Sequence, residues 1–107
     1  MALVSVRRRA LEDLRRILDD LETESKDAAQ GLADRVTHTL ELLTNYPRAG
    51  RHEYPESDRE YRSIGAGPYR LWYRVIADDE AAILVIRHGR QRPPTLHDLE
   101  QRAEPTP

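Results

Sequence analysis

Apolar residues return every three or four positions early in the chain. Ala10, Leu11, Leu14, Ile17, Leu18 and Leu21 recur with charged residues between them. That spacing lines one side of a helix. A short extended start, "LVSV", precedes it, with Ser5 placed as its N-cap. "ETESKDAAQ" breaks the pattern, and Asp27 followed by Gln30 predicts a capping box for a second helix. Ala29, Leu32, Ala33, Val36, Leu40 and Leu43 form its stripe, with Gly31 costing about 1 kcal/mol relative to alanine. Pro47 biases Tyr46 away from helical angles and ends it. Two helices, about 7–24 and 27–45, with a short connector predict an αα-hairpin.

"PRAGRHEYPESD" reads as loop, after which the period changes to two. Strands are predicted at 59–65, 69–77 and 81–88, with "AGP" and "DDE" as turns. "TLHDLEQR" predicts a short helix capped by Thr95 with Asp98 three residues on, and "AEPTP", from about 103 to 107, should fray. If Asp78 and Asp79 make a two-residue turn, Leu71 faces Ile86, Tyr73 faces Leu84 and Val75 faces Ala82. That apolar side should pack on the helices. The opposite side then carries Arg70 facing Arg87, Trp72 facing Val85 and Arg74 facing Ile83. The whole chain, 1–107, is expected to be one α+β domain. A helical hairpin packs on a small antiparallel sheet, in the order β-α-α-β-β-β with a short C-terminal helix. The last strand is expected at the sheet's centre, and the segment after it to add little to the core.

Composition sharpens this reading. With 38% hydrophobic and 34% charged residues the chain is polar, but its apolar residues are periodic enough for a core. It has no cysteine, so neither disulfides nor thiolate chemistry are available. No apolar run approaches the roughly 20 residues of a membrane span, and no signal peptide is visible. A cytoplasmic protein is expected. The net charge of −2 hides a segregation. Residues 1–58 carry 9 basic and 12 acidic side chains, residues 59–92 carry 7 and 4, and residues 93–107 carry 1 and 3. The middle segment suits an acidic or phosphate-rich partner, or is simply a solvated arginine face.

The search for chemistry leaves mostly arginine. His38, His52, His88 and His97 lack metal-ligand spacing, so no metal and no cofactor is expected. "GAG" at 65–67 lies between strands and is a turn, not a phosphate loop. Arg59, Arg62, Arg70, Arg87, Arg90 and Arg92 come from three strands and their ends. Arginine binds phosphate or carboxylate but shuttles protons poorly. A proton-transferring site would need Tyr54, Tyr61, His88 or His97. Arg70 and Arg74 beside Trp72 form either an anion-holding patch or arginine stems covering a tryptophan.

"ALEDLRRI", "LTNYPRAGRHE", "YRLWYRV" and "ILVIRHGRQRP" follow in that order. With them, residues 3–99 resemble the RelE/ParE superfamily of bacterial type II toxins, and ParE-like members most closely. The pair "YR..YRV" and "I.HGR" carries most of the resemblance. It implies the toxin of a toxin-antitoxin system acting in plasmid stabilisation and growth arrest. It also implies a cognate antitoxin bound in a hetero-oligomer and DNA gyrase as target, with no catalytic residue. Arg70, Trp72, Arg74, Arg87, His88, Arg90 and Arg92 would then meet target or antitoxin. The alternatives are a RelE-like, metal-independent nuclease cutting mRNA on the ribosome through Arg70, His88, Arg90 and Arg92, or a non-toxic partner-binding member. No tyrosine follows Arg92, and Lys26 is the only lysine, which favours the ParE-like reading.

Overall fold

The structure, a computed structural model, describes residues 1–104. Its elements are β1 (Leu3–Val6), α1 (Arg8–Glu24), α2 (Lys26–Asn45), β2 (Arg51–Glu53), β3 (Glu60–Ala66), β4 (Tyr69–Ala77), β5 (Glu80–His88) and α3 (Leu96–Ala103). The α+β architecture is the expected one, with two N-terminal helices, a five-stranded sheet and a short last helix. Strand order is β1-β5-β4-β3-β2, and β1 runs parallel to β5. The sheet is therefore mixed. Its central strand is β4, and β5 lies between β4 and β1.

The helix starts differ from expectation. Ser5 sits inside β1, two residues before the N-cap position of α1, which Arg7 occupies with no side-chain cap. Ser25 caps α2 by accepting from the Ala28 N–H at 3.2 Å, while Gln30 donates to Asp34. Capping belongs to the residue that breaks helical angles, and Ser25, at φ −162°, is that residue. On α1 the buried stripe takes in Asp13, whereas Leu11 is exposed.

β2 lies inside the expected loop. Its three residues pair antiparallel with Ser63, Arg62 and Tyr61. Gly50 makes this possible. A Cβ there would lie 2.6 Å from the Tyr73 hydroxyl oxygen and 2.7 Å from the Ser63 carbonyl oxygen. Its N–H instead donates to that Tyr73 hydroxyl at 2.9 Å.

The β4–β5 hairpin turns at Asp78–Asp79 as expected, with Ala77 opposite Glu80. Leu71, Arg70 and Trp72 also face their expected partners, Ile86, Arg87 and Val85. Between them, register shifts between Trp72/Tyr73 and Val75/Ala77 set Tyr73 against Ile83, Arg74 against Ala82 and Val75 against Ala81. A bulge adds one residue to a strand and re-aims its neighbours. Here Leu84 and Val85 both join the side away from the hairpin. Leu84 therefore packs with Trp72, Tyr61, Leu99 and Ala103, not with Leu71 and Tyr73.

Two cores result. The α1–α2 hairpin covers Leu71, Tyr73, Val75, Ile83 and Ile86. On the other face α3 lays Leu99 and Ala103 over Trp72, Leu84 and Val85. The C-terminal segment is thus a structural layer. Ala103, where fraying was expected to begin, is helical and buried, and the remainder of that tail, 105–107, lies outside the described residues.

One ion pair joins the layers. Asp13 of α1 accepts from Arg102 of α3 at 3.0 Å and from the Ile86 backbone N–H at 3.1 Å. Arg102 also donates to the Leu84 carbonyl at 3.0 Å. Removing one member of a buried pair leaves an uncompensated charge, at a cost of about 3–5 kcal/mol. Asp13→Ala should lower unfolding stability by that order in urea titration. Asp13→Ala combined with Arg102→Met should cost less than the two single changes added together. Strict additivity would show that the two side chains act independently.

Candidate functional site

The end of β5 leads into a short, strongly bonded turn. The Gly89 N–H donates to the Pro68 carbonyl at 2.8 Å, and the Gln91 N–H to the His88 carbonyl at 3.0 Å. The His88 N–H donates to the Gln91 side-chain oxygen at 2.8 Å. The His88 ring then accepts the Arg90 N–H on Nδ1 at 3.0 Å, which leaves the proton of the neutral ring on Nε2. The ring packs in a T-shape with Tyr69, centroids 5.1 Å apart and planes at 72°. Arg87 donates to the Arg92 carbonyl at 2.9 Å. Each of these bonds fixes a backbone that carries an arginine.

Arg70 and Arg87 are directly opposite on β4 and β5, and both are half-buried. Arg90 and Arg92 project from the turn and are exposed. None of the four forms an ion pair among the described residues. The structure therefore brings Arg70, Arg87, His88, Arg90 and Arg92 to one rim. Open-sided concavities flank the Tyr69–His88 pair. One, of about 460 Å³, is lined by Leu21, Leu32, Arg35 and Pro68. The other, of about 360 Å³, is lined by Arg16, Asp20, Glu24 and Gln91.

Two expected site residues are placed elsewhere. Trp72 is not on an open face. It is 3% exposed beneath α3, because the apolar side of α3 must be covered and Trp72 covers it. Arg74 lies four residues along β4 from Arg70, roughly 13 Å of strand. It faces Tyr61 and Ala82, with its Nε buried and without a partner among the described residues. Arg62 is also occupied, donating to Glu60 at 2.7 Å and to the Gly50 carbonyl at 2.8 Å. Burial raises the Glu60 carboxyl, but hydrogen bonds from Arg62 and Arg48 outweigh it and hold the group below its ordinary value.

The candidate proton-transferring groups do not converge. Tyr61 is buried in the α3 core. Tyr54 donates to the Pro94 carbonyl at 2.6 Å, and burial raises its pKa, followed by the nearby carboxylate of Glu53. It also holds φ at 51°, a left-handed conformation costing a non-glycine residue about 1–2 kcal/mol, so it serves as a tether to the start of α3. His97 is exposed on α3. Among the described residues no group of three or more His, Cys, Asp or Glu could hold a metal ion, and no helix is long and apolar enough to cross a membrane.

Sequence reasoning missed Asp13 and Arg102, which hold the end of β5 in place. The signal was present. Position 13 falls three after Ala10 and four before Ile17, on the core stripe of α1.

Residues 4–93 match the family model described as "ParE toxin of type II toxin-antitoxin system, parDE". The chain is also 34% identical over 88 residues to "Putative toxin Y4kP" of Sinorhizobium fredii (strain NBRC 101917 / NGR234). That alignment covers 82% of this chain and 88% of the relative.

Behind the rim, α3 is set by a reciprocal cap. The Asp98 N–H donates to the Thr95 hydroxyl, and the Thr95 N–H donates to the Asp98 carboxylate at 2.9 Å. The Thr95 backbone bond, then the Thr95 hydroxyl, and more weakly the Arg87 charge hold the Asp98 carboxyl below its ordinary value. A folded pKa below the unfolded one adds stability above the unfolded pKa, and that stability is lost as pH falls through the folded pKa. Asp98→Ala should cost about 1 kcal/mol near neutral pH, as a lost cap does. The loss relative to the parent should shrink in acid, where the parent carboxylate protonates. Urea titrations of both proteins from pH 7 to pH 3 would measure it, and a constant difference would rule out Asp98 as the source.

Proposed function

Since the chain belongs to the ParE toxin family of type II toxin-antitoxin systems, we propose that it is the toxin of such a pair, that it poisons DNA gyrase by binding, and that a cognate antitoxin neutralises it. It works in the cytoplasm, where its target is. The observation that carries this reading is the rim at the end of β5. Arg70, Arg87, Arg90 and Arg92 are gathered there without ion-pair partners among the described residues, on a turn fixed by its own hydrogen bonds.

A cation cluster of this kind favours docking over proton transfer. Guanidinium groups stay charged at all physiological pH and offer several donors in a rigid fork, suited to carboxylates on a protein surface. His88 already spends Nδ1 on the Arg90 amide. The antitoxin fits the same logic. Its acidic residues would neutralise the rim, and an apolar segment folding as it binds would fill the concavity beside Leu21, Leu32 and Tyr69. The product is a toxin–antitoxin hetero-oligomer in which target and antitoxin compete for one surface.

The test is inducible expression without antitoxin, read in parallel as gyrase supercoiling with DNA breaks and as translation. Arg90→Ala with Arg92→Ala should reduce toxicity at least about tenfold, because docking residues of this type commonly carry more than 1 kcal/mol each. Arg87→Lys should weaken it less. His88→Gln should retain much of it, since no titrating group is required. Early loss of supercoiling with translation intact supports the proposal. Prompt ribosome-dependent mRNA cleavage, abolished by changing Arg70 or His88 alone, would replace it with the nuclease reading.

A further inference from the structure

Of the sheet's two edge strands, β1 and the three-residue β2, β1 is bonded on its outer side to no further strand among the described residues. Leu3 and Arg7 donate their amides inward, to the carbonyls of Asp79 and Ile83. Strand alternation then turns the amides and carbonyls of Val4 and Val6 outward. The Ala2 N–H, of the same parity, points away from β5 and meets the Thr44 carbonyl at the end of α2. Between those two ends the edge is open. Apart from its short length it lacks the usual protections, since "LVSV" has no proline and no charge. The exposed large apolar side chains among the described residues are Met1, Leu3, Leu11, Leu42 and Tyr46. All of them lie on β1, beside it, or on the helix ends that adjoin it.

Charge along this edge is polarised. At its N-terminal end lie the Asp78–Asp79 turn, Glu80 opposite Leu3, and the C-terminus of α2 with no basic residue in its last turn. At its C-terminal end lie Arg7, Arg8 and Arg9 and the N-terminus of α1, with no acidic residue in its first turn and no side-chain cap. Cations at a helix N-terminus oppose the helix dipole, so these arginines destabilise their own helix. None of the three forms an ion pair among the described residues. An edge negative at one end and positive at the other is complementary to itself when reversed.

We propose that the β1 edge pairs antiparallel with β1 of a second copy of this chain, about a two-fold axis at Ser5. Val4 then faces Val6 of the other copy, and each exchanges an amide and a carbonyl. Arg7–Arg9 of each copy meet the acidic end of the other. The ends of α1 and α2, carrying Leu11, Leu42 and Tyr46, come together on the helix side. This surface is separate from the arginine rim at the end of β5, so the inference stands whether or not that rim binds gyrase.

Sedimentation of the full chain across a concentration series should show a monomer–dimer equilibrium that weakens as salt rises. Two variants test the geometry, Arg8→Glu with Arg9→Glu, and Asp79→Lys with Glu80→Lys. Each alone places like charges together at both contacts and should raise the dissociation constant at least about a hundredfold. Mixed in equal amounts, they place opposite charges together at both contacts and should form a heterodimer. Val4→Pro removes an outward amide and should also prevent pairing, with circular dichroism checking that it folds. A wild-type monomer at every concentration, a dimer indifferent to the charge changes, or a mixture that stays monomeric would overturn the proposal. So would an edge that becomes protected from amide exchange only when antitoxin is added.

Discussion

The structure depends on how β5 is closed along the side that β1 does not reach. β1 pairs with β5 only as far as Val6 opposite Ile83, while β5 continues to His88. Residues 84–88 would otherwise run through the interior with unpaired backbone, which native proteins avoid. Asp13 takes the Ile86 amide, Arg102 takes the Leu84 carbonyl, and the two side chains neutralise each other. Burying an ion pair is costly unless its remaining donors and acceptors are used. Here they are used on backbone that has no other partner. The pair also joins α1 on one face to α3 on the other, and so aligns both layers with the strand whose end carries the arginines.

Much of this was legible in the sequence because periodicity reports burial. The helix stripes, the two-residue turn at Asp78–Asp79 and the Thr95–Asp98 capping box all follow from local rules. What was not legible depends on contacts between distant segments. β2 is a strand only because β3 pairs with it and because Gly50 lets the Tyr73 hydroxyl approach. The bulges shift the pairing by one residue and move Leu84 to the other core, which alternation alone cannot foresee. Trp72 looked exposed because its strand neighbours are arginines, but α3 supplies the cover from outside the strand.

The arginines separate by environment. Arg48 and Arg62 converge on Glu60, and Arg102 on Asp13. These are spent on structure. Arg74 lies opposite Tyr61 on β3, and its Nε and the Tyr61 hydroxyl are both buried without a hydrogen-bond partner among the described residues. Within residues 59–92, Arg70, Arg87, Arg90 and Arg92 lie together at the end of β5 and form no ion pair among the described residues. The segregated positive charge of residues 59–92 thus resolves into one rim, although the segment's sum alone could not locate it.

That rim gains its character from stiffness. Like charges opposed on neighbouring strands destabilise a sheet. Arg70 and Arg87 nonetheless stay opposite each other because both flanks of β5 are fixed, by β4 on one side and by the Asp13–Arg102 pair on the other. The turn beyond holds Arg90 and Arg92 through four backbone-directed bonds around His88, Gly89 and Gln91. A partner that supplies carboxylates would relieve the repulsion and would find the donors already in position, so little ordering entropy is lost on docking. Relief of the Arg70–Arg87 repulsion would add to the free energy of any such docking, and the fixed flanks of β5 keep the two strands from parting to relieve it within one chain.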